Sequence, residues 1–198
     1  MSCGADRFVC GLVLAAGGSR RLGQPKQLLP YGTGSLLGHV LDTARGCGLH
    51  QLLCVVGGAG DEIRGRVDLT GVQIVENPDF GAGCSSSIAA ALRAVDPRAT
   101  MLVLMLGDQP GVRREAVTAL IDGCGESAVA ACAYADGRGH PLAFHRSTFA
   151  ELATLHGDKG VWKLLHRRGA DVVDVPVTGP VPLDVDTWED YRALLARP

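Results

Sequence analysis

No run of about 18 consecutive apolar residues occurs in the 198-residue sequence, and a helix crossing a bilayer needs that length. A basic tract is missing as well. The 19 Lys and Arg are outweighed by 21 Asp and Glu, for a net charge of −2, so binding to nucleic acid through its phosphates is not expected. No Cys-x-x-Cys pair occurs among the seven cysteines, Cys3, Cys10, Cys47, Cys54, Cys84, Cys124 and Cys132. The odd count and the apolar surroundings of most of them point to small buried thiols. The polar stretch Met1–Arg7 precedes the apolar run Phe8–Ala16, and Arg20 and Arg21 follow it. A secretory signal has the opposite order, so a cytoplasmic protein is expected. Internal repeats, low-complexity segments and linkers are absent, and the length favours one domain over residues 1–198. With 46% hydrophobic residues, a disordered chain is excluded.

Short apolar runs alternate with segments of helical period. Phe8–Ala15, Leu52–Val56, Val72–Val75, Met101–Leu106, Ala128–Ala133, Pro141–Phe144 and Val172–Val175 are expected strands. Ser35–Gly48, Asp61–Val67, Ser85–Val95, Arg113–Asp122, Phe149–Leu155, Gly160–Arg168 and Thr187–Ala196 are expected helices, with Ser85 or Ser86 capping the third. Pro141 is placed at the start of its strand, where a missing N–H costs no ladder bond. The alternation implies a mostly parallel sheet with helices on both faces. Ligands of such sheets bind at the carboxyl ends of the strands, so the loops there are the places to search.

The loop after the first strand reads Leu14-Ala15-Ala16-Gly17-Gly18-Ser19-Arg20-Arg21-Leu22-Gly23-Gln24-Pro25-Lys26. A Walker A loop needs lysine directly after its last glycine, and Gln24 stands there. A dinucleotide fingerprint needs G-x-G-x-x-G opening a helix, and Pro25 interrupts any helix. Adjacent glycines nevertheless let successive N–H groups turn toward one anion, and Arg20, Arg21 and Lys26 add positive charge. Asp108, at the exit of the fourth strand before Pro110, is placed to hold Mg²⁺, which takes one or two carboxylates plus substrate phosphates. Asp184 and Asp186 share one side of an extended segment, and Thr187 with Asp190 can form a capping box. Asn77 can read a base edge or a ribose. Gly81 and Gly83 permit close approach, and Ser85–Ser87 open a helix whose first N–H groups are free. Cys84 has no base at a fixed spacing and is not expected to be a nucleophile. His140 and His145 lack a third ligand pattern.

Leu14-Ala15-Ala16-Gly17-Gly18-Ser19 with Leu22-Gly23, Lys26 and Leu28-Leu29-Pro30 resembles the signature of the MobA-like nucleotidyltransferases. The Asp108-Gln109-Pro110, Asn77…Gly83…Ser85…Ser87, Gly139-His140-Pro141, Gly157-Asp158-Lys159-Gly160 and Asp184-Val185-Asp186-Thr187 elements follow in the family's order. The resemblance spans Val9 to Tyr191. It implies a three-layer α/β/α Rossmann-like nucleotidyltransferase fold and transfer of a nucleotide to a phosphorylated acceptor. Within the family, the molybdenum cofactor cytidylyltransferases, which join CTP to molybdopterin, are nearest in pattern. Ala16 stands where the guanylyl branch has glycine, which tilts the base toward cytosine. The implied catalytic residues are Lys26, Asp108 and Asp186, with Mg²⁺ on Asp108 and Asp186. The implied binding residues are Leu14, Ala15, Ala16, Gly17, Gly18, Ser19, Arg20, Lys26, Asn77, Gly83, Ser85, Ser87, His140 and Asp158. The implied partners are CTP, a phosphorylated pterin, and a molybdoenzyme or its maturation factor. Two alternatives within this reading are a guanylyl or other nucleotidyltransferase and a non-catalytic nucleotide- or cofactor-binding accessory protein. An oxidoreductase is a third, which the missing dinucleotide fingerprint opposes. Trp162 stands where the family commonly has arginine, which leaves the acceptor open.

Overall fold

A computed structural model describes residues 7–197. Cys3 and Met1–Asp6, on which most of the N-terminal reading rests, lie outside the described residues. In chain order the elements are β1 (Val9–Ala15), the short ribbon β2 (Pro30–Tyr31) and β3 (Gly34–Ser35), α1 (Leu36–Arg45), β4 (Gln51–Val56), α2 (Gly60–Arg66), β5 (Gln73–Glu76) and α3 (Cys84–Leu92). Then follow β6 (Met101–Leu106), α4 (Arg114–Gly123), β7 (Val129–Tyr134), β8 (Gly137–His145), α5 (Phe149–Ala153), α6 (Gly160–Arg168), β9 (Val172–Pro176) and α7 (Trp188–Leu195). The expected helices and strands are all present, with ends shifted by a few residues. The Pro30–Ser35 ribbon was not anticipated, because two-residue strands carry no periodicity.

Seven strands form one sheet in the order β5-β4-β1-β6-β8-β7-β9. Every pairing is parallel except those made by β8. Alternate residues of each strand enter opposite apolar layers. Val9, Val13 and Ala15 of β1 pack with Leu37, Val40 and Leu41 of α1 and Val117 and Leu120 of α4. Cys10 and Leu12 pack with Ile88 of α3, Leu152 of α5 and Leu164 of α6. A strand covered on both faces reads as an unbroken apolar run, as β1, β4 and β6 do. Four of the six described cysteines are buried, and burial pushes the Cys54 thiol up to about 12. Among the described residues, no helix is long and apolar enough to cross a membrane.

From β1 the chain winds outward through β4 to β5, then returns across β1 to β6. The carboxyl ends of β1 and β6 therefore flank a switch point, where doubly wound sheets form their crevice. The region around β8 departs from expectation. The strand is nine residues long rather than four, and Pro141 sits in its middle. The two-residue connection Ala135-Asp136 makes a hairpin, so β8 runs antiparallel to its neighbours. Ala131 pairs with Leu142 and Cys132 with Gly139, which leaves His140 and Pro141 as extra residues at a bulge. Proline loses no ladder bond there. Because β8 is reversed, this bulge lies level with the carboxyl end of β6, just past the Leu104–Leu142 pair.

A third apolar cluster joins Leu22 of the first loop, Leu29, Leu36 of α1, Val185 and Leu194 of α7. It ties the C-terminal segment to the loop after β1. Thr187 and Asp190 form the expected capping box at the start of α7.

Phe144 is wholly buried between Leu102 and Val129 on the adjacent strands. Phe144→Ala is expected to cost about 3–5 kcal/mol and to lower Tm by roughly 6–20 °C; an unchanged melting curve would contradict this packing. Burial holds the His140 imidazole down to about 4, against an ordinary value near 6.5. The unfolded chain binds the proton first as pH falls, so this stability is complete above about 6.5 and is lost on descending toward 4. Denaturant titrations from pH 7 to 4.5 should show a steeper loss for the wild type than for His140→Gln, and parallel slopes would refute the assignment.

Candidate active site

The loop after β1 closes on itself. Ser19 has φ 47°, and its carbonyl accepts from the amides of Leu22 at 3.0 Å and Gly23 at 3.2 Å. Its hydroxyl accepts from the Lys26 amide at 2.9 Å. A non-glycine residue in the left-handed region is strained, and this turn with its buried Leu22 holds it there. Gln27, 1% exposed, donates from Nε2 to the Ala15 carbonyl at 2.7 Å and the Gly17 carbonyl at 3.1 Å. These bonds point carbonyls inward. Among the described residues, the amides of Gly17, Gly18, Ser19 and Arg20 donate to no protein acceptor. The loop therefore presents free N–H groups where an anion can bind.

Lys26 extends from this loop to two carboxylates. Its ammonium contacts Asp108 at the end of β6 and lies 2.7 Å from Asp186 Oδ1. Arg21 reaches the other oxygen of Asp186 at 2.7 Å. Burial opposes the charge on Lys26, whose side chain is 11% exposed. The two carboxylates, Asp108 foremost, outweigh that effect and hold the ammonium above its ordinary value. The hydrogen bond from Lys26 leads in holding Asp186 below the usual carboxylate range. Burial, reinforced by the Asp108 charge, pushes Asp184 up to about 6.

Two carboxylates converging on one point form a hard-oxygen donor set. Such a set suits a small divalent cation that completes its shell with phosphate oxygens and water. Among the described residues, no group of three or more His, Cys, Asp or Glu side chains is arranged to hold a metal alone. Asp108 and Asp186, which meet at the Lys26 ammonium, are the carboxylates that could hold such a cation.

The opposite wall is built where α3 meets the loop before α6. Asp158 Oδ1 accepts from the Cys84 amide at 3.1 Å. The Gly157 carbonyl accepts from the Ser85 amide at 3.2 Å and its hydroxyl at 2.7 Å. Gly83, with φ 102°, is required here: a Cβ would lie 2.7 Å from the Gly157 carbonyl carbon and 2.9 Å from the Asp158 nitrogen. The N-cap of α3 is thus Gly83, not Ser85 or Ser86, and a carboxylate from a distant loop does the capping. Asn77 donates to the hydroxyls of Ser86 at 2.8 Å and Ser87 at 3.0 Å and accepts from the Asp79 amide at 3.0 Å. Beyond Asp158, the His140 and Trp162 rings meet edge to face at 5.5 Å.

These parts surround one cleft of about 700 Å³, within the range of small-molecule sites. Of the residues expected from sequence, Leu14 to Arg20, Lys26, Gly83, Ser87, Asp108, His140, Asp158 and Asp186 line it. Asn77 and Ser85 stand behind its wall, their polar groups spent on holding α3. Gln27, Phe80 and Asp184 also line the cleft, and sequence reasoning did not select them as site residues. Gln27 had a signal, since it adjoins Lys26 in the same loop. Phe80 had none in the sequence. Burial pushes the Cys84 thiol up to about 11, in keeping with a thiol that is not a nucleophile.

The family described as MobA-like NTP transferase domain matches residues 11–172. Rv0371c from Mycobacterium tuberculosis H37Rv has a solved structure with a TM-score of 0.90 and 49% identity, covering 98% of this chain and 100% of that one. Its complex with manganese gives 0.86 and 48%, over 96% of this chain and 100% of that one. Nicotine blue oxidoreductase from Paenarthrobacter nicotinovorans is 32% identical over 200 residues, or 94% of this chain and 96% of that protein. With the matched residues running from inside β1 to the start of β9, and with relatives of similar length, the chain belongs to the MobA-like NTP transferase family of nucleotidyltransferases.

Proposed function

We propose that this protein transfers CMP from CTP to the phosphate of molybdopterin and releases pyrophosphate, acting as one domain in the cytoplasm. One observation carries the nucleotidyl part. Lys26, Asp108 and Asp186 meet at the edge of a loop with free amides. The molybdopterin and cytosine parts rest on the sequence signature, with Ala16 as the base-related position.

In this reading, the amides of Gly17–Arg20 and the Arg20 side chain bind the β- and γ-phosphates. Lys26 is a point charge on a flexible stem, so its ammonium can swing from the carboxylates onto a phosphate oxygen. An oxygen of the acceptor phosphate attacks the α-phosphorus in line. A new P–O bond forms as the bond to the bridging oxygen breaks, and pyrophosphate departs with that electron pair. The attacking phosphate is already ionised at pH 7, so no side chain needs to remove a proton. Positioning and charge neutralisation do most of the work in such transfers. Asp108 and Asp186 would hold Mg²⁺, which when bound supplies Lewis-acid stabilisation of the phosphoryl charge. The manganese complex of the Mycobacterium tuberculosis relative supports a divalent-metal site. A pterin acceptor delivered from or to a molybdoenzyme or its maturation factor belongs to the same reading.

A second reading comes from the name of the Paenarthrobacter relative: an oxidoreductase acting on a heteroaromatic compound. Against it stands the loop after β1, which lacks a dinucleotide fingerprint.

Thermal unfolding with Mg²⁺ and each of CTP, GTP, ATP and UTP tests both readings. A nucleotide at about 100 times its Kd stabilises by roughly 2.7 kcal/mol, or about 5–10 °C here. CTP is expected to give that shift. Asp108→Asn should fold normally and lose about 10²- to 10³-fold in pyrophosphate release. A shift with NADH or NADPH and none with any nucleoside triphosphate would favour the oxidoreductase.

A further inference from the structure

Trp162 is one of three large apolar side chains left exposed among the described residues, at 38%. Unlike Trp188 and Leu195, it lines the cleft. An indole facing a cavity is apolar area still in contact with water, and covering it with a ligand ring is favourable. Its neighbours determine which ring. His140 meets it edge-on at 5.5 Å and is 6% exposed. It carries no charge near neutral pH, since burial holds its pKa down to about 4. Val161 adds apolar surface. The carboxylate nearby is Asp158, whose Oδ1 is spent on the Cys84 amide.

The sheet order separates this patch from the anion-binding loop. β1 and β8 flank β6, so two strand spacings, about 10 Å, lie between the glycine loop and His140. Asp108 closes β6 between them. The second ring of the cleft, Phe80, packs on the loop side instead. A Cβ at Gly57 would lie 2.8 Å from the Phe80 ring and one at Gly18 3.9 Å from it. The cleft therefore has a cationic end beside Phe80 and an aromatic end at Trp162, where Asp158 and Lys159 also line the wall, with Asp108 in the middle.

We infer that Trp162 is the specificity-determining platform of the acceptor half of the site, stacking a flat nitrogen heterocycle whose phosphate points back toward Asp108. This rests on the nucleotidyltransferase reading and deepens it. Sugar phosphates, which have no flat face, are disfavoured, and the nucleotide's own base lies elsewhere.

The test is calorimetric binding of three probes to the full chain with Mg²⁺: free pterin, CTP and glucose 1-phosphate. Wild type, Trp162→Phe and Trp162→Ala are compared, with melting curves confirming that each variant folds. Stacking on an aromatic ring typically changes affinity by roughly 5- to 150-fold when the ring is truncated to alanine. Pterin is expected to bind wild type and Trp162→Phe within about threefold of each other and to lose at least about tenfold in Trp162→Ala. CTP should change by less than about twofold in either variant. Equal pterin affinity in wild type and Trp162→Ala would overturn the inference. So would no pterin binding to wild type, or tighter binding of glucose 1-phosphate than pterin. A loss of CTP affinity in Trp162→Ala would also overturn it, by assigning the ring to the base. Failure of CTP to bind any variant would strike the nucleotidyltransferase reading instead, and pterin data would then report on the Trp162 platform alone.

Discussion

One buried ammonium organises this molecule. Lys26 comes from the first loop, Asp108 from the end of the sixth strand and Asp186 from the segment before the last helix. Burying a lysine head without partners would cost several kcal/mol, so the three groups depend on one another. The contact with Asp186 spans 160 residues of chain. Arg21, more exposed, completes the charge balance on the far oxygen of Asp186. The arrangement stores two carboxylates around a cation and beside a ring of free amides. That is the inventory a triphosphate and a divalent ion would exchange into.

Packing makes the charge cluster possible. Leu22, Leu29, Leu36, Val185 and Leu194 form a small apolar cluster outside the two layers of the sheet. It fastens the loop after β1 against the C-terminal segment. The capping box at Thr187 then sets where α7 begins, and so where Asp186 sits. Asp190 Oδ2 accepts from the Asp186 amide at 3.1 Å as well as from Thr187. Apolar burial thus supplies the attraction and the cap supplies the aim.

The wall opposite the glycine loop is organised by a different device. A two-residue hairpin reverses β8, and a bulge inserts His140 and Pro141 at the level of the site. The loop before α6 then closes over α3 through Gly157 and Asp158, which only the missing side chain of Gly83 allows. Histidine, aspartate and tryptophan from three elements are thereby placed on one wall, opposite the glycine loop. The two halves meet at Asp108.

Much of this was legible from the residues. Apolar runs of strand length alternating with amphipathic segments sufficed for the layered α/β fold, because a strand buried on both faces has to be apolar throughout. The glycine-rich loop, Lys26, Asp108 and Asp186 were picked out as candidates because phosphate and metal chemistry restrict which residue types can serve, and the fold brings them to one cleft. What pairwise spacing could not decide was the set of long-range relations. Asn77 and Ser85 had the right chemistry for binding, yet their hydrogen bonds are consumed within the wall. Arg20 alone of the two neighbouring arginines was expected among the binding residues, and only the folded loop turns Arg21 onto Asp186. Phe80 carried no signal in the chain and Trp162 only that of replacing an arginine, and packing brought both rings to the cleft. Local periodicity and chemistry are written along the chain. Which side chains still have an open valence or an open face depends on neighbours far away in sequence, and only the tertiary structure brings those neighbours together.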